Sequence, residues 1–120
     1  EAKLNSNASV VLWGTGSPMR EFLHVDDLAQ AVLFAIENSL EEHLYNVGTG
    51  LDLTISGLAA KIQTITGHKG KILWDKSKPN GTPRKLLDIT KISESGWRPK
   101  INLDKGIKDT YNWYLTLKNI

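Results

Sequence analysis

Apolar residues along the chain follow two rhythms, short continuous runs and helical spacings, and the two alternate. Ser9-Val10-Val11-Leu12-Trp13 is a β-branched apolar run stopped by Gly14-Thr15-Gly16-Ser17-Pro18, which predicts a strand and a turn. Phe22-Leu23-His24-Val25 predicts a second short strand, after which Asp26 and Asp27 open a helix as N-cap and first-turn acid. Over residues 27–38, Leu28, Ala31, Val32, Phe34, Ala35 and Ile36 form its apolar face. Leu44-Tyr45-Asn46-Val47 reads as a buried strand ended by Gly48-Thr49-Gly50. Thr54 caps a predicted helix over residues 55–66, with Leu58, Ala59, Ile62 and Ile65 at helical spacing and Gly67 closing it.

Lys71-Ile72-Leu73-Trp74 is a further strand, and Leu86-Leu87 is expected to pack inward. A short helix is predicted from Thr90 to near Gly96-Trp97, and a last helix from Leu103-Asp104 with Ile107, Thr110, Tyr111, Tyr114 and Leu115 on one face. Residues 1–8 are polar and expected to be flexible, which leaves residues 9–120 as a single structured portion. Strands alternating with helices predict an α/β fold, with too few strands for a complete doubly wound sheet.

Size and charge narrow the classes. A chain of 120 residues, 40% hydrophobic and 23% charged, has the length and make-up of one soluble globular domain. Fifteen Lys and Arg against 13 Asp and Glu leave a net charge of +2, too balanced for the basic stripe of a nucleic-acid binder. With no cysteine there is no disulfide framework and no thiolate nucleophile or metal ligand, which fits a reducing cytoplasm. No apolar run reaches the length of a membrane span and no signal peptide is visible. The first residue is Glu1 rather than Met, so the expectation is a part of something longer.

The segment Lys76-Ser77-Lys78-Pro79-Asn80-Gly81-Thr82-Pro83-Arg84-Lys85 carries four cations in ten residues. Its two prolines and Asn-Gly restrict the backbone, which suits a polyanionic ligand, although a solvated surface loop has the same composition. Upstream, Trp13 and Arg20 flank a Gly/Pro turn. An indole at a strand end can stack on a ring or sugar face, and Arg can fork onto phosphate oxygens. Equally, Trp13 can be a core residue and Arg20 a partner of Glu21, Asp26 or Asp27.

Other motifs carry less. Gly14-Thr15-Gly16 and Gly48-Thr49-Gly50 lack the third glycine and the following helix of a dinucleotide fingerprint, and read as turns. Tyr114 and Lys118 match Tyr-x-x-x-Lys but sit at the end of the chain as a helix-face residue and a solvated cation. His24, His43 and His68 show no metal-ligand spacing, so no metal is expected, and His24 is placed near a helix start. Asn7-Ala8-Ser9 and Asn80-Gly81-Thr82 fit a glycosylation pattern that is common by chance.

The stretch from Trp13 through Arg20-Glu21-Phe22-Leu23-His24-Val25-Asp26-Asp27-Leu28-Ala29 resembles a segment shared by extended short-chain dehydrogenases that modify nucleotide sugars. Tyr45-Asn46-Val47-Gly48-Thr49-Gly50 and Thr54-Ile55 with Leu58-Ala59 look like the strand and helix that follow it there. Ser77 to Asp88 narrows the likeness to the GDP-L-fucose synthase family, over most of the chain from Val10 to Tyr114.

The resemblance implies a C-terminal substrate-binding portion whose parent holds the Rossmann half, NADP(H) and the catalytic residues outside this chain. The parent would be a cytoplasmic homodimer, and the 120-residue chain alone would be inactive and bind NADP(H) negligibly. It further implies substrate-binding roles for Trp13, Arg20, Asn80 and Lys85, with Lys78 and Arg84 as weaker supporting cations. Arg20 and Lys85 would take the pyrophosphate of a GDP-sugar. Asn80 stands where the family commonly has Asp, so a charge is missing there. A UDP- or dTDP-sugar epimerase or dehydratase, and a stand-alone binding module that lost the enzyme, are the competing expectations.

Overall fold

The computed structural model describes residues 1–41 and 43–118; residues 42, 119 and 120 of the expected portion 9–120 lie outside the described residues. The fold is mixed α/β with two small sheets. β1 (Ser9–Trp13) pairs in parallel with β4 (Lys71–Asp75), Ser9 opposite Lys71 and Trp13 opposite Asp75. In the second sheet β2 (Met19–Glu21) is central, antiparallel to β3 (Asp52–Thr54) and parallel to β5 (Arg84–Lys85). The helices are α1 (Val25–Glu37), α2 (Ile55–Thr66), α3 (Thr90–Glu94) and α4 (Leu103–Lys118).

α2 follows its sequence signals closely. The Thr54 hydroxyl accepts from the Gly57 amide at 3.0 Å, and Gly67 ends the helix at φ 69°, where a side chain would strain the backbone. α1 begins earlier than the two aspartates suggest. His24 is its N-cap, with Nδ1 accepting from the Asp26 amide at 3.2 Å. Asp27 is instead drawn inside, 3% exposed, where its two oxygens accept from the amides of Lys100 at 3.0 Å and Ile101 at 2.9 Å. Those amides belong to the turn before α4, a partnership that local spacing cannot reveal.

Three expected features differ. The second strand is Met19–Glu21 rather than Phe22–Val25, because β3 and β5 offer their ladders to residues 19–21 and the His24 cap winds Val25 into α1. Leu44 to Val47 has no strand ladder; Tyr45 and Val47 pack on the core, and the Asn46 side-chain amide donates to the Asp88 carbonyl at 3.0 Å. Leu86 and Leu87 are 39% and 43% exposed rather than turned inward, since β5 is only two residues long and gives them no sheet face to cover.

The core is Ala31, Ile92 and Trp97, surrounded by Leu23, Phe34, Tyr45, Val47 and Ile89. It takes the inner side of α1 only. Val25, Leu28, Val32 and Ile36 make a stripe at helical spacing on α1, each 46–75% exposed. The N-terminal segment forms a hydrogen-bonded turn, Asn5 to Glu1 and Asn7 to Ala2 at 2.9 Å each, and Lys3 stands 5.6 Å from the centre of the Tyr111 ring on α4.

Candidate functional site

Two loops meet beyond the ends of β1 and β4. Gly14 donates to the Asp75 carbonyl at 2.9 Å, extending the parallel ladder by one bond into the turn. The Asp75 carboxylate accepts from the Ser77 amide at 3.0 Å and hydroxyl at 2.6 Å, while the Lys78 amide donates to the Asp75 carbonyl at 3.2 Å. The chain therefore folds back toward residues 14–18. There Oδ1 of Asn80 accepts from the Thr15 amide at 2.7 Å and hydroxyl at 3.1 Å. Gly14 makes the approach possible: its φ is 79°, and a Cβ at this position would lie 2.4 Å from Asn80 Oδ1. A last bond, Met19 amide to Pro83 carbonyl at 2.8 Å, delivers the basic segment to the edge of β2 as β5.

The sheet register then sorts the cations. Arg20 lies opposite Lys85, and laterally paired residues project from the same face. Arg20 and Lys85 are thus neighbours on one face, with Gly81 near enough that a Cβ there would sit 3.8 Å from the guanidinium. Arg20 is half-buried and donates to its own Met19 carbonyl at 2.6 Å; among the described residues no carboxylate pairs with it. The acids named as possible partners stand elsewhere, Asp26 beside His24 with its carboxylate 3.7 Å from Nδ1. The Glu21 carboxylate accepts from the amides of Thr49, Gly50 and Leu87, and Asp27 holds the turn before α4.

Trp13 is 71% exposed, which removes it from the core, and the Lys78 ammonium stands 5.6 Å from the centre of its ring. Arg84 falls on the face opposite Arg20 and Lys85, where its guanidinium forks onto Asp52 at 2.5 and 3.2 Å. The hydrogen bond and charge of each partner hold the Asp52 carboxyl below its ordinary value and raise that of Arg84. Trp13, Lys78 and Asn80 are thus gathered at one loop junction and Arg20 with Lys85 on the adjoining sheet face, whereas Arg84 braces the reverse side.

Sequence reasoning missed the Glu21 and Asp52 anchors, which show only as ordinary surface acids in the chain. Alternation along Arg84-Lys85 is the one local signal that the two cations part. Both Gly-x-Gly turns lead into β2 and β3 rather than a helix N-terminus, so these residues do not fit a dinucleotide pyrophosphate. Lys118 and Tyr114 stack on each other at 5.9 Å at the end of α4. An apolar cavity of about 350 Å³ between the N-terminal turn, β1, α2 and α4 is lined by Val10, Leu12, Leu58, Ile62 and Tyr111, away from this site.

The profile of the NAD dependent epimerase/dehydratase family matches residues 2–48. Curated relatives 47–51% identical to the chain are named GDP-L-fucose synthases, and the chain is similar to them over nearly its whole length. GDP-L-fucose synthase 1 of Arabidopsis thaliana is 51% identical over 121 residues, covering 100% of this chain and 36% of the relative. The chain spans 35–39% of the length of the first curated relatives it matches. Among solved structures, a GDP-mannoheptose C4 reductase from Campylobacter jejuni with NADP bound is 38% identical, with a TM-score of 0.79 over 88% of this chain and 34% of that one. A UDP-glucose 4-epimerase from Thermotoga maritima with UDP-glucose is 30% identical, with a TM-score of 0.86 over 98% of this chain and 38% of that one.

Proposed function

We propose that the chain is the C-terminal, GDP-sugar-binding part of a GDP-L-fucose synthase, which converts GDP-4-keto-6-deoxy-D-mannose to GDP-L-fucose by 3,5-epimerisation and NADPH-dependent 4-reduction. The observation that carries this is the register of β2 and β5. It sets Arg20 and Lys85 side by side on one face, with no carboxylate partner among the described residues, at the foot of a loop junction that bears an exposed indole. Two adjacent cations suit a diphosphate, which carries about two negative charges, and Arg adds the planar fork that a Lys lacks. Trp13 offers a face to the sugar or base, with Lys78 beside it. Arg84 is proposed as a brace through Asp52 rather than a ligand.

In this reading the region supplies position and effective molarity, and the reacting groups come from the Rossmann part of a cytoplasmic, homodimeric parent. The test is steady-state kinetics of the full-length protein with GDP-4-keto-6-deoxy-D-mannose. Arg20→Ala and Lys85→Ala should each weaken binding by about 1–3 kcal/mol, seen as a raised KM with little change in kcat. A wild-type KM in both variants would remove the diphosphate assignment. The likeness to a UDP-glucose epimerase supports a second reading, a UDP-sugar site on the same frame. Calorimetry with GDP- and UDP-sugars separates them, and equal affinity would sink the GDP assignment.

A further inference from the structure

We propose that Asn80 is a positioning residue of the substrate site: its side-chain oxygen ties residues 14–18 to the basic loop, and so sets Trp13 and Lys78 against the Arg20–Lys85 face. This rests on the site reading above and goes beyond it, because it takes Asn80 out of direct contact with substrate through that oxygen. Both Thr15 groups that approach Oδ1 are donors, the backbone amide at 2.7 Å and the hydroxyl at 3.1 Å. An amide N–H can only donate, so the atom facing it is fixed as the oxygen.

The surroundings are arranged for this bond. The Thr15 hydroxyl is also 2.8 Å from that of Ser17, so the turn presents its donors as a set. Gly14, at φ 79°, leaves a gap that any Cβ would close to 2.4 Å from Asn80 Oδ1. The residues on each side of the bond are the ones that matter for a ligand. Trp13 lies two positions before Thr15, and Lys78, two before Asn80, stands over the Trp13 ring at 5.6 Å. On the far side of the loop the Pro83 carbonyl holds the Met19 amide at 2.8 Å, next to Arg20 and Lys85. Without the Asn80 link, residues 76–83 keep that edge bond and the Asp75 turn but lose their tie to the turn after Trp13.

The requirement at this position is an acceptor oxygen. Asn and Asp both meet it, and the absent charge is then of no consequence to the loop. The experiment uses the full-length protein, with KM for the GDP-sugar and kcat measured for Asn80→Ala, Asn80→Asp, Thr15→Val and the Thr15→Val/Asn80→Ala double variant. Expected are a KM raised about fivefold in Asn80→Ala with kcat unchanged, and near wild-type values in Asn80→Asp, whose carboxylate still accepts both donors. Thr15→Val, which removes one of the two donors, should raise KM about twofold alone and add nothing to Asn80→Ala.

Three results would overturn the proposal. Asn80→Asp as damaging as Asn80→Ala would mean that the amide NH₂ itself meets an anion. A silent Thr15→Val, or one that multiplies fully with Asn80→Ala, would mean that the two residues act separately. Wild-type kinetics in Asn80→Ala, with Arg20→Ala and Lys85→Ala impaired, would leave the site reading intact and remove Asn80 from it. Wild-type KM in Arg20→Ala and Lys85→Ala would instead fail the site reading itself.

Discussion

Replacing Glu21 by Gln should cost nearly as much stability as replacing it by Ala, although Gln keeps the size and one acceptor oxygen. In the structure Oε1 of Glu21 accepts from the Thr49 amide, from the Gly50 amide at 2.6 Å and from the Thr49 hydroxyl at 3.2 Å, while Oε2 accepts from the Leu87 amide at 3.0 Å. One carboxylate thus ties the turn before β3 and the segment after β5 to the central strand. Hydrogen bonds to a charged group are worth about 1.5–3 kcal/mol each, and the Leu87 amide, on an exposed residue, can turn to water instead. The two amides at Oε1 therefore dominate, and Glu21→Ala should lose about 3 kcal/mol. Gln can satisfy one side only. With its oxygen on the Thr49 and Gly50 amides, Gln gives up the charge that strengthens both bonds and turns its NH₂ on the Leu87 N–H, so about 2 kcal/mol should still be lost.

Gly48 gives an independent handle. A Cβ there would stand 2.4 Å from Oε1 and 2.9 Å from the carboxyl carbon of Glu21, so Gly48→Ala must expel the carboxylate. It should cost as much as Glu21→Ala, and the double variant should be within about 0.5 kcal/mol of either single one, since both remove the same bonds. Urea unfolding followed by tryptophan fluorescence measures this, with a fall of about 1–2 M in the midpoint expected for Glu21→Gln at an unchanged m-value. A Glu21→Gln midpoint matching wild type, or full additivity with Gly48→Ala, would refute the reasoning.

Other outcomes follow from the same contacts. Asp27→Asn should destabilise by about 2 kcal/mol in urea unfolding, because a buried amide can accept from only one of the Lys100 and Ile101 amides. The Arg84 guanidinium holds the Asp52 carboxyl below its ordinary 3.8, so this pair's stabilisation is complete above that value and is lost as pH falls through the lower folded one. Unfolding midpoints between about pH 2 and 5 should therefore fall less steeply in Arg84→Met than in wild type, and identical profiles would deny the pair a role. The 120-residue chain, with Val25, Leu28, Val32 and Ile36 exposed on α1, should self-associate with rising concentration in sedimentation. Val32→Lys with Ile36→Lys should suppress that association.

Much of the frame is legible without coordinates. Thr54 and Gly67 bound α2 because capping and positive φ are decided within a turn of chain, and the apolar runs at Ser9–Trp13 and Lys71–Trp74 are strands whatever they pair with. The loop residues of the site could be named from the cation cluster, the Gly/Pro turn and the family likeness. Where the second strand lies could not. Met19-Arg20-Glu21 has no strand pattern of its own and is extended because β3 and β5 pair with it from 31 or more positions downstream.

The division of the cations shows the same limit. By composition alone Lys78, Arg84 and Lys85 are one basic cluster, and charge along a chain carries no direction. Tertiary structure separated them. Pairing of β5 with β2 sends Lys85 to the face of Arg20 and Arg84 to the opposite one, since side chains alternate along a strand, and Asp52, on the strand across β2, takes the Arg84 charge. The sequence by itself determined which residues could recognise a diphosphate sugar, through their chemistry. Only the register of three short strands and the two bonds to Asn80 decided which of them lie together, because that choice depends on partners brought from distant parts of the chain.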